Sequence, residues 1–210
     1  MQAVLTALKE IIDLGYMKPG GGGTQFTQAQ AQWTLDQDAL MYPSGSWIEN
    51  EMKDQTKEGF AMKGVPAFTV TADSAMPQTA LHSGAGEPYI VPSDAANLAG
   101  GKELLRIMLS ADAATNFTKT KLAPTIVSGL VPADGFGSTA LVSQTEMLDA
   151  AGDDIFNFFY WDTYGLNQNE LPLWNSFLAG DMSVEDLTSA MQGLADNVRN
   201  DDTVTKITVV

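Results

Sequence analysis

The sequence predicts a helix-rich α/β fold, and three features of the 210-residue chain predict it. Short apolar runs alternate with longer segments of helical period through the first third, the rhythm of layered α/β proteins. Val4, Leu5, Leu8, Ile11 and Ile12 recur at intervals that line one side of a helix, as do Val184, Leu187, Met191, Leu194 and Val198 near the other end. Between these stripes the apolar run Leu40 to Tyr42 stops at Pro43 and Gly45 and ends on Trp47. Such a turn puts an indole at a strand-to-helix mouth, where open α/β sheets hold their ligands.

The elements follow in order. The first helix closes at Gly15, and Lys9, Glu10 and Asp13 interrupt its apolar residues, so Met1 to Tyr16 reads as an amphipathic helix and not as a signal peptide. Lys18-Pro19 and Gly20 to Gly23 read as a surface loop. Thr27 opens a helix over Gln28 to Gln37, Ala39 to Tyr42 reads as a strand, and Ile48 to Lys57 reads as a helix. Phe60 to Val70 reads as short strands broken at Gly64-Val65-Pro66. A second region starts near Leu81 with the turn-rich Leu81 to Pro88 and a buried-looking strand, Tyr89-Ile90-Val91. Leu104, Leu105, Met108 and Leu109 mark a helix from Gly101, and Ser110 caps a second one through Phe117, the two packing as a pair. Leu122 to Pro132 is irregular, and Ser138 to Ala151 is helical. Six aromatic residues crowd Phe156 to Tyr164. Glu170 to Leu178 carries Trp174 and ends at Gly180, and Ser183 with Asp186 forms a capping box for the last helix.

Composition removes several functions. Eleven basic against 26 acidic residues give a net charge of −15 and a pI near 4.1, which repels phosphate backbones and anionic membranes, so no nucleic-acid partner is expected. No cysteine is present, which excludes disulfides, thiolate metal sites and a cysteine nucleophile. No apolar run approaches the roughly 18 residues of a membrane-spanning helix. A single histidine, His82, leaves most acid-base, metal and triad schemes without a partner, and beside a turn it reads as a hydrogen-bonding loop residue. Ser44-Gly45-Ser46 lacks the G-x-S-x-G flanks of a nucleophile elbow, and Gly100-Gly101-Lys102-Glu103 lacks the hydroxyl residue of a phosphate loop. Asp149 to Asp154 lacks the alternating ligands of a calcium loop. No metal or cofactor is expected.

A glycosidase needs two carboxylates across a cleft, and Glu49, Glu51 and Glu87 keep that reading open by inventory. What stands out is aromatic: Trp47, Trp161, Tyr164 and Trp174 each lie near a turn or helix start, where a ring can stack on a ligand. Each taken alone is more often a core residue. Together, in an acidic chain without a catalytic set, they favour a binding protein for a neutral ring-bearing ligand.

The order of motifs resembles the family 1 extracellular solute-binding proteins of carbohydrate ABC importers, the maltose-binding-protein-like group. The resemblance is carried by Gln28 to Gln37, Ala39 to Trp47, the Gly-rich crossing Ser83 to Pro92, Gly101 to Ser110, Leu122 to Thr125, and the Trp174 helix with Gly180 to Asp186. It is closest to the N-acetylglucosamine/diacetylchitobiose-binding type over Tyr42 to Lys53 and Val131 to Gln144. Members are about twice as long as this chain, which is similar to their C-terminal half. The resemblance implies a partial type II periplasmic-binding-protein-like fold, with residues 1–80 in the C-terminal lobe, 81–145 in the N-terminal lobe and 146–210 returning to the first. It implies no catalysis, a mono- or oligosaccharide ligand with an amino sugar favoured, ABC permease subunits as partners, and a monomeric, extracytoplasmic protein tethered as a lipoprotein in full-length members. Trp47 matches the ring-stacking position, with Ser46 and Tyr42 in its turn; Gly84, Ala85 and Gly86 match the crossing that lines the cleft; Trp174 matches a second aromatic wall. Trp161 and Tyr164 join the expected binding set from the aromatic cluster. The alternatives are a carbohydrate-active hydrolase and a truncated product without function.

Overall fold

The computed structural model describes residues 2–84, 89–157 and 164–207. Among these, eight α-helices dominate: α1 (Gln2–Asp13), α2 (Phe26–Thr34), α3 (Ile48–Met52), α4 (Leu98–Met108), α5 (Ala111–Lys121), α6 (Thr139–Ala151), α7 (Asn167–Leu178) and α8 (Val184–Asn200). The described β structure is one parallel pair, β1 (Leu81–His82) beside β2 (Ile155–Phe156), with Leu81 opposite Ile155 and His82 opposite Phe156. The expected helix-rich α/β character is present, with far less strand than the sequence suggested.

Contacts divide the chain into two units. One comprises residues 1–29, 70–72 and 158–210. Its core is built by the two stripes read from the sequence: Leu5 of α1, Phe177 of α7, and Leu187 and Met191 of α8 are buried, with Leu8, Ile12, Leu173, Trp174, Met182 and Val184 packed around them. The ends of these helices are chemically specified. Gly15, at φ +75°, closes α1 by letting Tyr16 N–H reach the Ile11 carbonyl (3.1 Å) and its own N–H the Ile12 carbonyl (2.9 Å). Gly180, at φ +89°, closes α7 the same way through Asp181 to Ser176 and Gly180 to Phe177, both 3.0 Å. Only a residue at ease in the left-handed region makes this pair of bonds without strain. Ser183 caps α8 as expected: its Oγ accepts from Asp186 N–H (3.0 Å) and donates to the Asp186 carboxylate (2.8 Å). The glycine run is an ordered turn, because Gly21–Gly23 forms a 3-10 helix and a Cβ on Gly22 would lie 3.3 Å from Asn175 of α7.

The other unit comprises residues 30–69 and 73–157. Ile48 and Met52 of α3, Met62 and Ala140 of α6 are buried together, and Ala31, Trp33, Tyr42 and Phe60 pack against them.

Several expected elements are corrected. Ala39 to Tyr42 is not a strand, and Leu40 is 91% exposed, because an extended run needs a neighbour to pair with and none is described beside it. Phe60 to Val70 forms no strand either, since its backbone groups are taken by α6: Gly64 N–H donates to Ser143 Oγ and the Met62 carbonyl accepts from Thr139 Oγ1, each 2.8 Å. Tyr89 to Val91 is irregular and Ile90 exposed, the opposite of a buried strand. The helix after Trp47 stops at Met52, where the chain turns so that Lys57 N–H meets the Thr34 carbonyl at 3.0 Å. Helix α2 starts and ends about two residues early, and Gln37, at φ +59°, cannot continue it. Helix α4 starts at Leu98, where Asn97 Oδ1 caps Gly100 N–H at 2.8 Å, and the capping Ser110 opens α5 through to Lys121.

Two substitutions test the first unit by urea denaturation. Phe177→Ala empties a fully buried site and is expected to lower stability by about 3–5 kcal/mol. Ser183→Ala removes the α8 cap and is expected to cost about 1 kcal/mol.

Candidate functional site

The site is built from the turn that carries Trp47. Gly45 accepts from Ile48 N–H (3.3 Å) and Trp47 from Glu51 N–H (3.1 Å), so the turn runs directly into α3. Trp47 occupies the cap position of α3 in helical backbone geometry (φ −82°, ψ −14°) but gives α3 no side-chain cap. Its indole instead folds back over Gly45. A Cβ built on Gly45 would stand 1.9 Å from Cζ3, 2.3 Å from Cη2 and 2.5 Å from Cε3, so the benzo ring lies directly on the glycine backbone. Trp47 is nevertheless 59% exposed. The ring is thus held against its own turn yet remains largely exposed, so that an aromatic surface is available to an apolar ligand face.

Below the turn, α3 is anchored at both carboxylates. Glu49 accepts a short hydrogen bond from Ser138 Oγ, whose oxygen also accepts from Leu141 N–H at 2.8 Å to cap α6. Glu51 accepts from Nε2 of the buried Gln30 at 2.8 Å. Both candidate carboxylates of a hydrolase are therefore spent on helix anchoring, and Glu87 lies outside the described residues. Gln144 of α6 reaches the turn from the side, its Nε2 3.5 Å from the Ser46 carbonyl, while its Oε1 is buried without a hydrogen-bond partner.

Tyr42 is half-buried, its ring stacked on Trp33 at 5.9 Å and 19°, and Trp33 meets Phe60 edge-on at 5.3 Å and 90°. This ladder fixes the start of the turn rather than presenting Tyr42 as a free stacking face. Burial raises the Tyr42 phenol above its ordinary value of 10.0, and the nearby Glu51 carboxylate raises it further.

Of the other expected binding residues, Gly84 is exposed after β1, and a Cβ there would meet Asn157 Nδ2 at 2.8 Å. Asn157 Oδ1 lies 3.1 Å from His82 Nε2, so the histidine is a hydrogen-bonding residue beside the parallel pair, as its position by a turn suggested. Ala85, Gly86 and Trp161 lie outside the described residues, as do Phe158, Phe159 and Tyr160 of the aromatic cluster. Tyr164 and Trp174 belong to the first unit. The Tyr164 hydroxyl accepts from Ile207 N–H at 2.9 Å, a tie to the end of the described chain. Trp174 stands edge-on to Phe177 at 6.2 Å and, with Gln168, Glu170 and Leu171, lines a shallow depression of ≈ 320 Å³. Among the described residues no group of three His, Cys, Asp or Glu is placed to hold a metal, and no helix is long and apolar enough to cross a membrane.

Sequence reasoning missed Trp33, Ser138 and Gln144. Trp33 had a local signal, a helical indole close to Tyr42. Ser138 and Gln144 had none, being 89 residues from Glu49 and 98 from Ser46.

Gly45→Ala is expected to expel the indole from its seat, changing the near-ultraviolet circular dichroism while leaving the unfolding midpoint nearly unchanged, because the ring is exposed and free to move aside. Tyr42 gives a pH prediction. The folded state holds the phenolic proton more tightly than the unfolded chain, so stability falls as pH rises from about 10 through the higher folded-state value. Absorbance titration against Tyr42→Phe reads that value, and Glu51→Gln is expected to lower it only part of the way, since burial is the larger cause.

The chain is 58% identical over 209 residues to the diacetylchitobiose binding protein NgcE of Streptomyces coelicolor, a match covering 100% of this chain and 45% of that protein. The chain thus spans somewhat less than half the length of the curated relative it matches. No protein-family profile matches it, and no solved structure matches it significantly. The chain is therefore similar along its whole length to part of the Streptomyces coelicolor diacetylchitobiose binding protein, in keeping with the resemblance its motif order carries.

Proposed function

We propose that this chain is part of the substrate-binding component of a carbohydrate ABC importer, which binds N-acetylglucosamine, diacetylchitobiose or a related sugar outside the cytoplasmic membrane and delivers it to the permease. The observation that carries this reading is the exposed Trp47 indole seated on Gly45 at the mouth of α3. It is supported by 58% identity to a protein named for binding diacetylchitobiose. A pyranose presents an apolar face of axial C–H groups to such a ring, and its hydroxyl and acetamido groups need polar partners at the edge. Ser46 in the same turn is the nearest candidate, while Gly84, Ala85 and Gly86 are proposed backbone contacts on the resemblance. Trp174, Tyr164 and Trp161 are secondary candidates, because Tyr164 is already occupied by Ile207 and Trp174 by Phe177. Residues 1–80 and 146–210 are proposed to form one lobe and 81–145 part of the other, in a protein that acts as a monomer.

The relative named for sugar binding is more than twice as long, so the chain by itself is expected to bind diacetylchitobiose weakly, with a Kd of about 1 mM or above. Titration followed by calorimetry and by Trp fluorescence checks this. Joined to the unmatched part of the relative, the chain is expected to bind tightly, and Trp47→Ala to weaken that binding by roughly tenfold or more while leaving stability nearly unchanged. Equal affinity in Trp47→Ala removes the stacking role, and turnover of chitooligosaccharide in place of binding removes the transporter reading.

A further inference from the structure

Helix α4 has two distinct sides and no buried residue along its 11 positions. Lys102, Glu103 and Arg106 form the polar side, with Arg106 holding Glu103 through bonds of 2.6 and 2.8 Å. Leu104, Leu105, Ile107 and Met108 form the other side at helical spacing. Leu104 is 58% exposed, Ile107 49% and Met108 37%, and Leu109 just beyond is 52% exposed. Helix α5 packs beside α4 and adds Phe117, also exposed. An amphipathic helix of this kind forms because its apolar side meets a core, and folded monomers seldom leave several neighbouring aliphatic side chains in water.

Two occupants are open to such a face: a second copy of the chain, or polypeptide that belongs to the same fold. A net charge of −15 on each copy opposes self-association. The match to the Streptomyces coelicolor protein favours the other occupant, because 55% of that protein's length lies outside the match while α4 lies well inside it. Covalent linkage in such a chain gives the two parts a high effective concentration, so even a modest apolar face stays covered.

We infer that the apolar side of α4, centred on Leu104 and Ile107, is an intramolecular interface that seats the polypeptide corresponding to the unmatched part of the Streptomyces coelicolor relative. Leu104 and Ile107 insert into that partner surface, and Lys102, Glu103 and Arg106 stay in solvent. The assignment rests on the match to the Streptomyces coelicolor protein and holds whether or not Trp47 stacks on a sugar.

Hydrogen exchange of residues 98–109 tests it in two proteins: the 210-residue chain, and a full-length chimera in which this chain replaces the matched part of the relative. The α4 amides are expected to exchange at least roughly tenfold more slowly in the chimera. Leu104→Asp with Ile107→Asp is expected to abolish that protection while leaving the unfolding midpoint of the 210-residue chain unchanged; Glu103→Ala on the polar side is the control and is expected to keep it. If the chimera does not fold, co-expression of the two parts as separate chains replaces it, and co-purification lost in the double Asp variant reads the same contact. Equal exchange with and without the added polypeptide, or co-purification indifferent to the Asp substitutions, overturns the inference. Protection that appears in the 210-residue chain only as its concentration rises overturns it in favour of a second copy. Calorimetry with diacetylchitobiose on the same samples scores sugar binding separately.

Discussion

The hydroxyl groups along the first half of α6 hold the Trp47-bearing unit in place. Ser138 donates to Glu49 of α3 while capping α6, Thr139 donates to the Met62 carbonyl, and Ser143 accepts from Gly64 N–H while donating to the Ala140 carbonyl. These bonds tie the start of α3 and the irregular segment after it to one rigid helix. They also replace the ladder that a sheet would supply, since backbone groups near a core must be paired by something. Ile48 and Met52 are buried beside Ala140 because α3 is fixed at its Glu49 end, and the turn that feeds α3 is fixed with it.

Trp47 inherits its position from that arrangement. Gln144, from the same helix, approaches the Ser46 carbonyl, and the Trp33, Tyr42 and Phe60 rings brace the run leading in. The indole itself contributes little to the core, and Gly45 leaves it a flat seat that no other residue permits without displacement. Stability and recognition are thereby separated: buried rings upstream hold the turn, and the exposed ring at its end is left available. A binding surface gains from such preorganisation, since a ring already held in place loses less entropy when a ligand arrives.

The acidic residues divide in a way that bears on chemistry. Glu49 and Glu51 look catalytic by inventory, yet each accepts a hydrogen bond from a side chain of another helix and holds α3. Glu103 and Asp196 pair with Arg106 and Arg199 on helix surfaces, where ion pairs contribute little to stability. The net charge of −15 repels polyanions.

The sequence by itself determined the features governed by neighbours three or four residues away. The stripes of α1 and α8, the closures at Gly15 and Gly180, and the caps at Ser110 and Ser183 were legible because helical periodicity and capping are local chemistry. The Trp47 turn was legible for the same reason, as Pro43 and Gly45 act within their own few residues. Strands were misread at Ala39, Phe60 and Tyr89, where an apolar run says only that a segment prefers to be covered and not what covers it. Tertiary structure decided that side chains of α6 pair the Phe60 segment, that Glu49 meets Ser138 across 89 residues, and that β1 finds β2. It also decided that the indole of Trp47 lies against Gly45 while staying largely exposed, because a side chain's direction depends on the space its surroundings leave, and that space is set by contacts distant in the chain.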